Sequence, residues 1–193
     1  MTQCRALLAA MFTMSLVWGT GAAQADDVSA RAQASRAAIK ELASRLKGEL
    51  VQAIKAGGPE SAISVCKVAA PSIASDISEK NGWRVGRTAL RLRNPGNAPD
   101  EWERKVLERF SEQLEQGADP EKLEHFEVLD GNGASNFRYM KAIPLAKPCL
   151  TCHGPAVEPS LYEEIKKLYP SDQAVGFELR SLRGAFSVSQ PMK

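Results

Sequence analysis

Between residues 28 and 56 apolar side chains recur at three- and four-residue steps. Ile39, Leu42, Leu46, Leu50 and Ile54 form one stripe, and charged or small residues fill the positions between them. That is the period of a long helix buried along one face. Gly57-Gly58 predicts its end, and Pro59 suits the first turn of a second helix, where a missing N–H costs nothing. In the second helix Ile63, Cys66, Ala70 and Ile73 share a stripe, so Cys66 is expected to point inward with the apolar side chains. Pro71 cannot donate a hydrogen bond to the carbonyl of Lys67, which predicts a bend or break just after Cys66.

Beyond residue 82 the period changes to two. Trp83, Val85, Arg87, Ala89 and Arg91 share one face of a predicted strand over Gly82 to Arg93, and Thr88, Leu90 and Leu92 share the other. Asn94-Pro95-Gly96-Asn97 is a turn cluster. A helix follows from about Pro99 to Gln116, with Trp102, Val106, Phe110 and Leu114 spaced by four and Gly117 as its stop. Short alternating runs then cover His125 to Leu129, Asn136 to Leu145, Gly176 to Leu182 and Gly184 to Gln190. Asp130-Gly131-Asn132-Gly133 predicts a hairpin between the first two, and a short helix is expected near Ser160 to Leu168. Helices, a strand, a helix and then mainly strands make an α+β domain with an antiparallel sheet.

The first 25 residues lie outside that domain. Arg5 supplies a basic start, Ala6 to Trp18 is an uncharged apolar run, and Ala23-Gln24-Ala25 places small residues where a signal peptidase reads. The run is too short for a membrane span, and Asp26-Asp27 follows it directly. We therefore expect a signal peptide over 1–25, cleaved after Ala25, and one periplasmic domain over 26–193 with no membrane span. The chain has 25 basic and 23 acidic residues, a formal net charge of +2, so charge makes no case for nucleic acid. Exposed faces of the first helix could pair with a second copy in a homodimer, though nothing in the sequence requires it. Of four cysteines, Cys4 precedes the apolar run. An exported chain favours disulfides, yet Cys66, Cys149 and Cys152 are odd in number and cannot all pair internally.

Cys149-Leu150-Thr151-Cys152-His153 resolves the mismatch. Two thiols separated by two residues can reach the two vinyl groups on one porphyrin, and the adjacent histidine is then held beneath the iron. One covalently attached haem c is the expected cofactor, with Cys149 and Cys152 as thioethers and His153 as proximal ligand. Lys147-Pro148 before the motif and Gly154-Pro155 after it suggest a tight loop. Two rival readings are a redox disulfide and a zinc site completed by Cys66 and His125. The first usually opens a helix without a following histidine, and the second has spacings that match no common zinc ribbon. For the sixth position the residues leave Cys66, His125, Met140, Met192, water or nothing. Each has a plainer role available: a buried inert thiol, a surface histidine beside Glu124, a core methionine and a frayed terminus.

Four blocks in order carry a family resemblance: Cys66-Lys67-Val68-Ala69-Ala70-Pro71, Arg91 through Pro99, Cys149 through Gly154, and Tyr169 through Gly176. Over roughly Arg36 to Met192 the chain resembles a family of exported bacterial haem-c domains with a PAS-like fold, long catalogued as a domain of unknown function. The resemblance implies a PAS-like antiparallel sheet with long N-terminal helices and six-coordinate haem. His153 would be the proximal ligand and Cys66 the distal one. It also implies a redox- or gas-responsive sensor; the alternative is a simple periplasmic electron-transfer cytochrome c, and an enzyme is not expected. Arg91 and Arg93 are nominated as partners for the haem propionates, with Arg138 and Lys141 behind them. Many members precede kinase or cyclase domains, whereas this chain ends at Lys193. Any signal is therefore expected to pass through a separate redox or signalling partner.

Overall fold

A computed structural model describes residues 20–131 and 133–192. The leader expected over 1–25 thus falls mostly outside the described residues. Its last residues, from Thr20, continue the first helix. Helix α1, Thr20–Ser64, interrupts its helical geometry at Gly57 and Gly58, the latter at φ 75°. The glycine pair breaks the helix where the sequence placed the break, and Pro59 opens the turns that follow.

The proline effect takes a milder form than a break. Val65–Ala69 forms one π-helical turn, in which the Ala70 N–H reaches back to the carbonyl of Val65. Widening the turn by one residue accommodates the donor that Pro71 lacks, and the chain continues directly into α2, Ala70–Asn81. Cys66 sits on this widened turn. Gly82, at φ 73°, ends α2 by donating to the carbonyls of Ser78 and Glu79.

Four strands form one antiparallel sheet in the order β1-β4-β3-β2. They are β1 Arg84–Thr88, β2 Glu124–Gly131, β3 Ala134–Pro144 and β4 Leu182–Pro191. Strands β2 and β3 make the expected hairpin, closing at Gly131↔Ala134. On one sheet face Val85, Phe137, Tyr139 and Val188 pack against Ile39, Leu42 and Leu46 of α1 and Ile73 and Ile77 of α2. On the other, Met140, Ala142 and Ala185 meet Val106, Leu107 and Phe110 of α3, Glu101–Glu115. Asp100 caps α3 in a reciprocal capping box with Glu103. The buried Glu103 carboxylate also accepts from Ser187 at 2.6 Å and so joins α3 to β4. The α+β class and antiparallel sheet are as the sequence predicts.

Two predicted strands differ. The run from Gly82 to Arg93 pairs only as far as Thr88, because the Ala89 N–H turns to the carbonyl of Asn97. Gly184 marks the close approach there, since a Cβ would collide with the carbonyl of Thr88. The run from Gly176 to Leu182 is not a strand before Leu182. It is an extended segment bonded to the cysteine motif, and it turns at Arg180, a non-glycine residue at φ 68°. Alternation reports an extended backbone, and its partner here is a loop. Among the described residues no helix is long and apolar enough to cross a membrane.

Glu124 ties α1 to the sheet. It accepts from Arg36 Nε at 3.1 Å and from the hydroxyl of the fully buried Tyr139 at 2.6 Å. The Arg36 guanidinium, and then Tyr139, hold the Glu124 carboxyl below its ordinary 4.5. A depressed folded value makes this contribution complete above the unfolded value and lost as pH falls through the folded one. Glu124→Gln should therefore lower the urea midpoint at about pH 7, and the difference from the parent should close towards about pH 3.

Candidate functional site

The cysteine motif occupies two short turns instead of an open loop. Lys147–Cys149 is a 3₁₀ turn, and Leu150–His153 is one turn of helix, α4. That compactness places Cys149, Cys152 and His153 together. Cys149 is exposed, Cys152 is half-buried, and both thiols are free. The turn closes with Gly154 N–H on the carbonyl of Leu150 at 2.8 Å, and a Cβ at Gly154 would lie 2.5 Å from that same oxygen. Glycine is required there for close approach.

The extended segment fixes His153. Gly176 and Phe177 donate their N–H groups to the carbonyls of Gly154 and His153, each at 2.9 Å. His153 Nδ1 lies 2.6 Å from the carbonyl of Ala174, so Nδ1 carries the hydrogen and Nε2 keeps its lone pair. Phe177 meets the imidazole edge-on at a centroid distance of 6.5 Å. Burial, with Arg183 and Arg93 adding to it, drives the imidazole down to about 3, against the opposing Ala174 hydrogen bond. His153 is therefore a neutral imidazole with one oriented lone pair, the form that binds metals.

Arg93 organises the segment. Its Nε and Nη2 meet the two carboxylate oxygens of Asp172 at 3.1 and 2.9 Å, and the side chains are 8% and 0% exposed. The same Nη2 donates to the carbonyl of Cys152 at 2.7 Å, and Asp172 accepts from the Ala174 N–H at 3.0 Å. One buried pair thus positions both the second motif cysteine and the carbonyl that orients His153.

Cys66 belongs to the same neighbourhood. Burial pushes its thiol up, while the positive charges of Arg87, Arg93 and Arg183 pull it down and Cys149 opposes them. Cys152 likewise feels Arg93, Cys66 and Cys149. The other sequence candidates lie elsewhere. Met140 is fully buried beneath α3. His125 is on β2, 3.2 Å from Glu127 and with its ring tilted against that of Trp102, so a zinc set with Cys66 is not assembled. Among the described residues no group of three or more His, Cys, Asp or Glu is placed to hold a metal ion. Met192 packs against the α1 side of the sheet, and its N–H is bonded to the carbonyl of Ser135 instead of being frayed.

The arginine assignment changes. Arg91 is committed to the carbonyls of Gln173 and Val175 and lies 4.2 Å over the Phe177 ring, and Arg93 is paired with Asp172. Arg138 binds Asp100, and Lys141 the carbonyl of Glu121. Arg87 and Arg183 remain without a carboxylate partner among the described residues, although Arg183 does donate from Nη1 to the carbonyl of Arg91 at 3.3 Å. Burial pushes Arg87 down, and the groups that oppose this are Cys66 and Tyr169, neither of them a carboxylate. Burial, then Arg93 and Arg87, lowers Arg183 to about 10, and its Nε is buried without a hydrogen-bond partner among the described residues. A second buried polar atom without such a partner is the hydroxyl of Tyr169. Two free thiols, a neutral oriented imidazole, cations without a carboxylate partner and unpaired donors fit a group with two thiol-reactive positions, a metal and carboxylates.

A family model described as Tll0287-like matches residues 21–191. The chain belongs to the Tll0287-like family. Its fold is similar to the crystal structure of the cyanobacterial haem-protein Tll0287, with a TM-score of 0.62 and 24% sequence identity. That match covers 91% of this chain and 98% of the other. No curated protein sequence gave a significant match.

Removing the Asp172 carboxylate leaves Arg93 buried and unpaired. Asp172→Ala should cost about 3–5 kcal/mol in urea unfolding, more than an exposed pair would. The exposed pair Arg45–Asp76 serves as control, and Asp76→Ala should change stability by less than about 1 kcal/mol.

Proposed function

We propose that this Tll0287-like protein is a periplasmic c-type haem protein. Cys149 and Cys152 would be its thioether ligands, and His153 and Cys66 would hold the iron. The carrying observation is the hydrogen bond from His153 Nδ1 to Ala174, which leaves Nε2 free on a half-buried neutral imidazole beside two free thiols. The haem in the family's namesake supports the reading, and the signal-peptide pattern before Asp26 supports export. Arg87 and Arg183 would hold the propionates, since both are partly buried cations lacking a carboxylate in direct contact.

Haem held there would supply one-electron chemistry and, with one protein ligand released, a position for a diatomic gas. The chain's own part is to present two unlike ligands. His153 is clamped on both sides, by Ala174 and Phe177. Cys66 stands on a π turn, a local widening of a helix that can relax. A thiolate binds ferric iron better than ferrous iron, because its negative charge matches the higher metal charge. With haem held this way, reduction would favour release of Cys66 over release of His153, and the site would serve as a redox- or gas-responsive sensor rather than an enzyme. A peroxidase-type site needs a distal acid–base pair, and the second histidine, His125, is engaged with Glu127 on β2.

A plain electron carrier is the second reading, favoured by the exposure of Cys149, which would put the attached edge of the porphyrin at the surface. Spectra separate the two. Expression with a haem-maturation system should give a pyridine haemochrome of haem c that Cys149→Ala/Cys152→Ala abolishes. Cys66→Ala should convert the ferric spectrum from six-coordinate thiolate to a form lacking it. Under the sensing reading ferrous parent protein binds carbon monoxide. A ferrous form that stays six-coordinate and never takes carbon monoxide selects the carrier.

A further inference from the structure

The two edges of the sheet are finished differently. At the β1 edge Ser78 Oγ covers Val85, accepting its N–H at 2.9 Å and donating to its carbonyl at 3.2 Å, and the carbonyl of Asn97 takes the Ala89 N–H. Strand β2, at the other edge, has no such cover. Leu123 accepts from the N–H of Ala142, its direct opposite in β3, so Leu123 and every second residue after it bond inward. Glu124, Phe126, Val128 and Asp130 therefore turn their N–H and C=O groups outward, where none is bonded among the described residues. An open edge invites another strand unless charge, proline or a bulge blunts it. Strand β2 contains no proline, and its register with β3 runs without a shift. Two of its acids are engaged within their own copy, Glu124 by Arg36 and Tyr139, and Glu127 by Trp102 and His125. Phe126, near mid-strand, is 37% exposed.

We propose that two copies of this chain join antiparallel along β2, with Phe126 at the two-fold axis, and merge their sheets into one. A two-fold axis perpendicular to the sheet keeps like faces together, so even-numbered residues stand opposite even and odd opposite odd. Charge selects the register. With the axis at Glu127, that residue would face its own copy and Glu124 would face Asp130, acid against acid. With the axis at Val128, Phe126 would face Asp130. Only the axis at Phe126 sets the strand's histidine opposite an acid. Each His125 then faces the second copy's Glu127, Leu123 faces Leu129, and the two phenyl rings meet. Pairing along one strand is smaller than a standard interface of about 1,600 Å², so the dimer forms at micromolar to millimolar concentration. The joined edge is the one opposite Arg87 on β1, which leaves the cysteine motif clear of it and makes the inference independent of the haem reading.

The test is sedimentation velocity of the purified protein across that concentration range, where the mass should rise from one copy to two. Val128→Pro removes only an outward N–H, so the urea midpoint should stay near the parent's while the dimer weakens by about tenfold or more. His125→Glu sets acid against acid across the axis and should weaken the dimer severalfold. The exchange His125→Glu/Glu127→His pairs the two types again and should restore it. A protein that stays single at every concentration overturns the proposal, and so does a dimer that Val128→Pro leaves as tight as the parent's. A dimer weakened by Val128→Pro but not by His125→Glu overturns the register at Phe126. Should Val128→Pro unfold the protein, His125→Glu decides alone, and an unweakened dimer overturns the proposal.

Discussion

The buried pair between Arg93 and Asp172 is the constraint on which the site depends. Three segments far apart in sequence meet at it: the chain leaving β1, the helical turn of the cysteine motif and the loop before the extended segment. Its energy is not simply attraction between opposite charges, since burying both costs several kcal/mol of lost hydration. What makes the pair worth having is geometry. The guanidinium fork fills both carboxylate oxygens and still reaches the carbonyl of Cys152, and the carboxylate still accepts the Ala174 N–H. Each remaining valence is spent on a part of the site, so His153 inherits its orientation from a residue it does not touch.

Opposite that rigid side stands a softer one. Cys66 is carried by a helix that would be regular but for Pro71, and the π turn answers the proline without ending the helix. Packing on either side is firm, with Ile63 buried before the turn and Ala70 and Ile73 buried after it. Val65 to Ala69 are themselves not fully buried. One candidate ligand is therefore over-determined by hydrogen bonds, and the other sits on a widened turn between two anchored helices. An asymmetry of that kind suits a site in which one ligand stays and the other leaves.

Period and punctuation made most of the fold legible. The stripe from Ile39 to Leu46 is the buried face of α1, Gly57-Gly58 interrupts it, and the Asp130–Gly133 turn closes the hairpin. The motif residues were legible too, because their spacing carries their chemistry. Arginine roles were not. The alternation did put Arg87 on the face of Val85, but nothing local distinguishes it from Arg91, and Arg93 meets its carboxylate 79 residues away. The run from Gly176 to Leu182 misled for the related reason that alternation describes a backbone shape without naming its partner. Tyr169 carried no signal of its own. Only its burial beside the motif, with an unsatisfied hydroxyl, marks it.

Charge balance connects the pieces. Arg87, Arg93 and Arg183 act on one another's surroundings around Cys66 and His153, and among the described residues Asp172 is the one carboxylate paired directly with any of them. Burial with uncompensated positive charge works against folding, and the depressed values of Arg87 and Arg183 express that opposition. The cluster thus demands anions, and a group bearing two carboxylates together with a thiolate from Cys66 would meet the demand. A ligand that binds only the folded chain stabilises it in proportion to its binding. The arginines that oppose folding would then be the same groups that tie completion of the fold to a bound haem. With Cys66 as an iron ligand, its thiolate would be the share of that balance that a change of iron charge could undo.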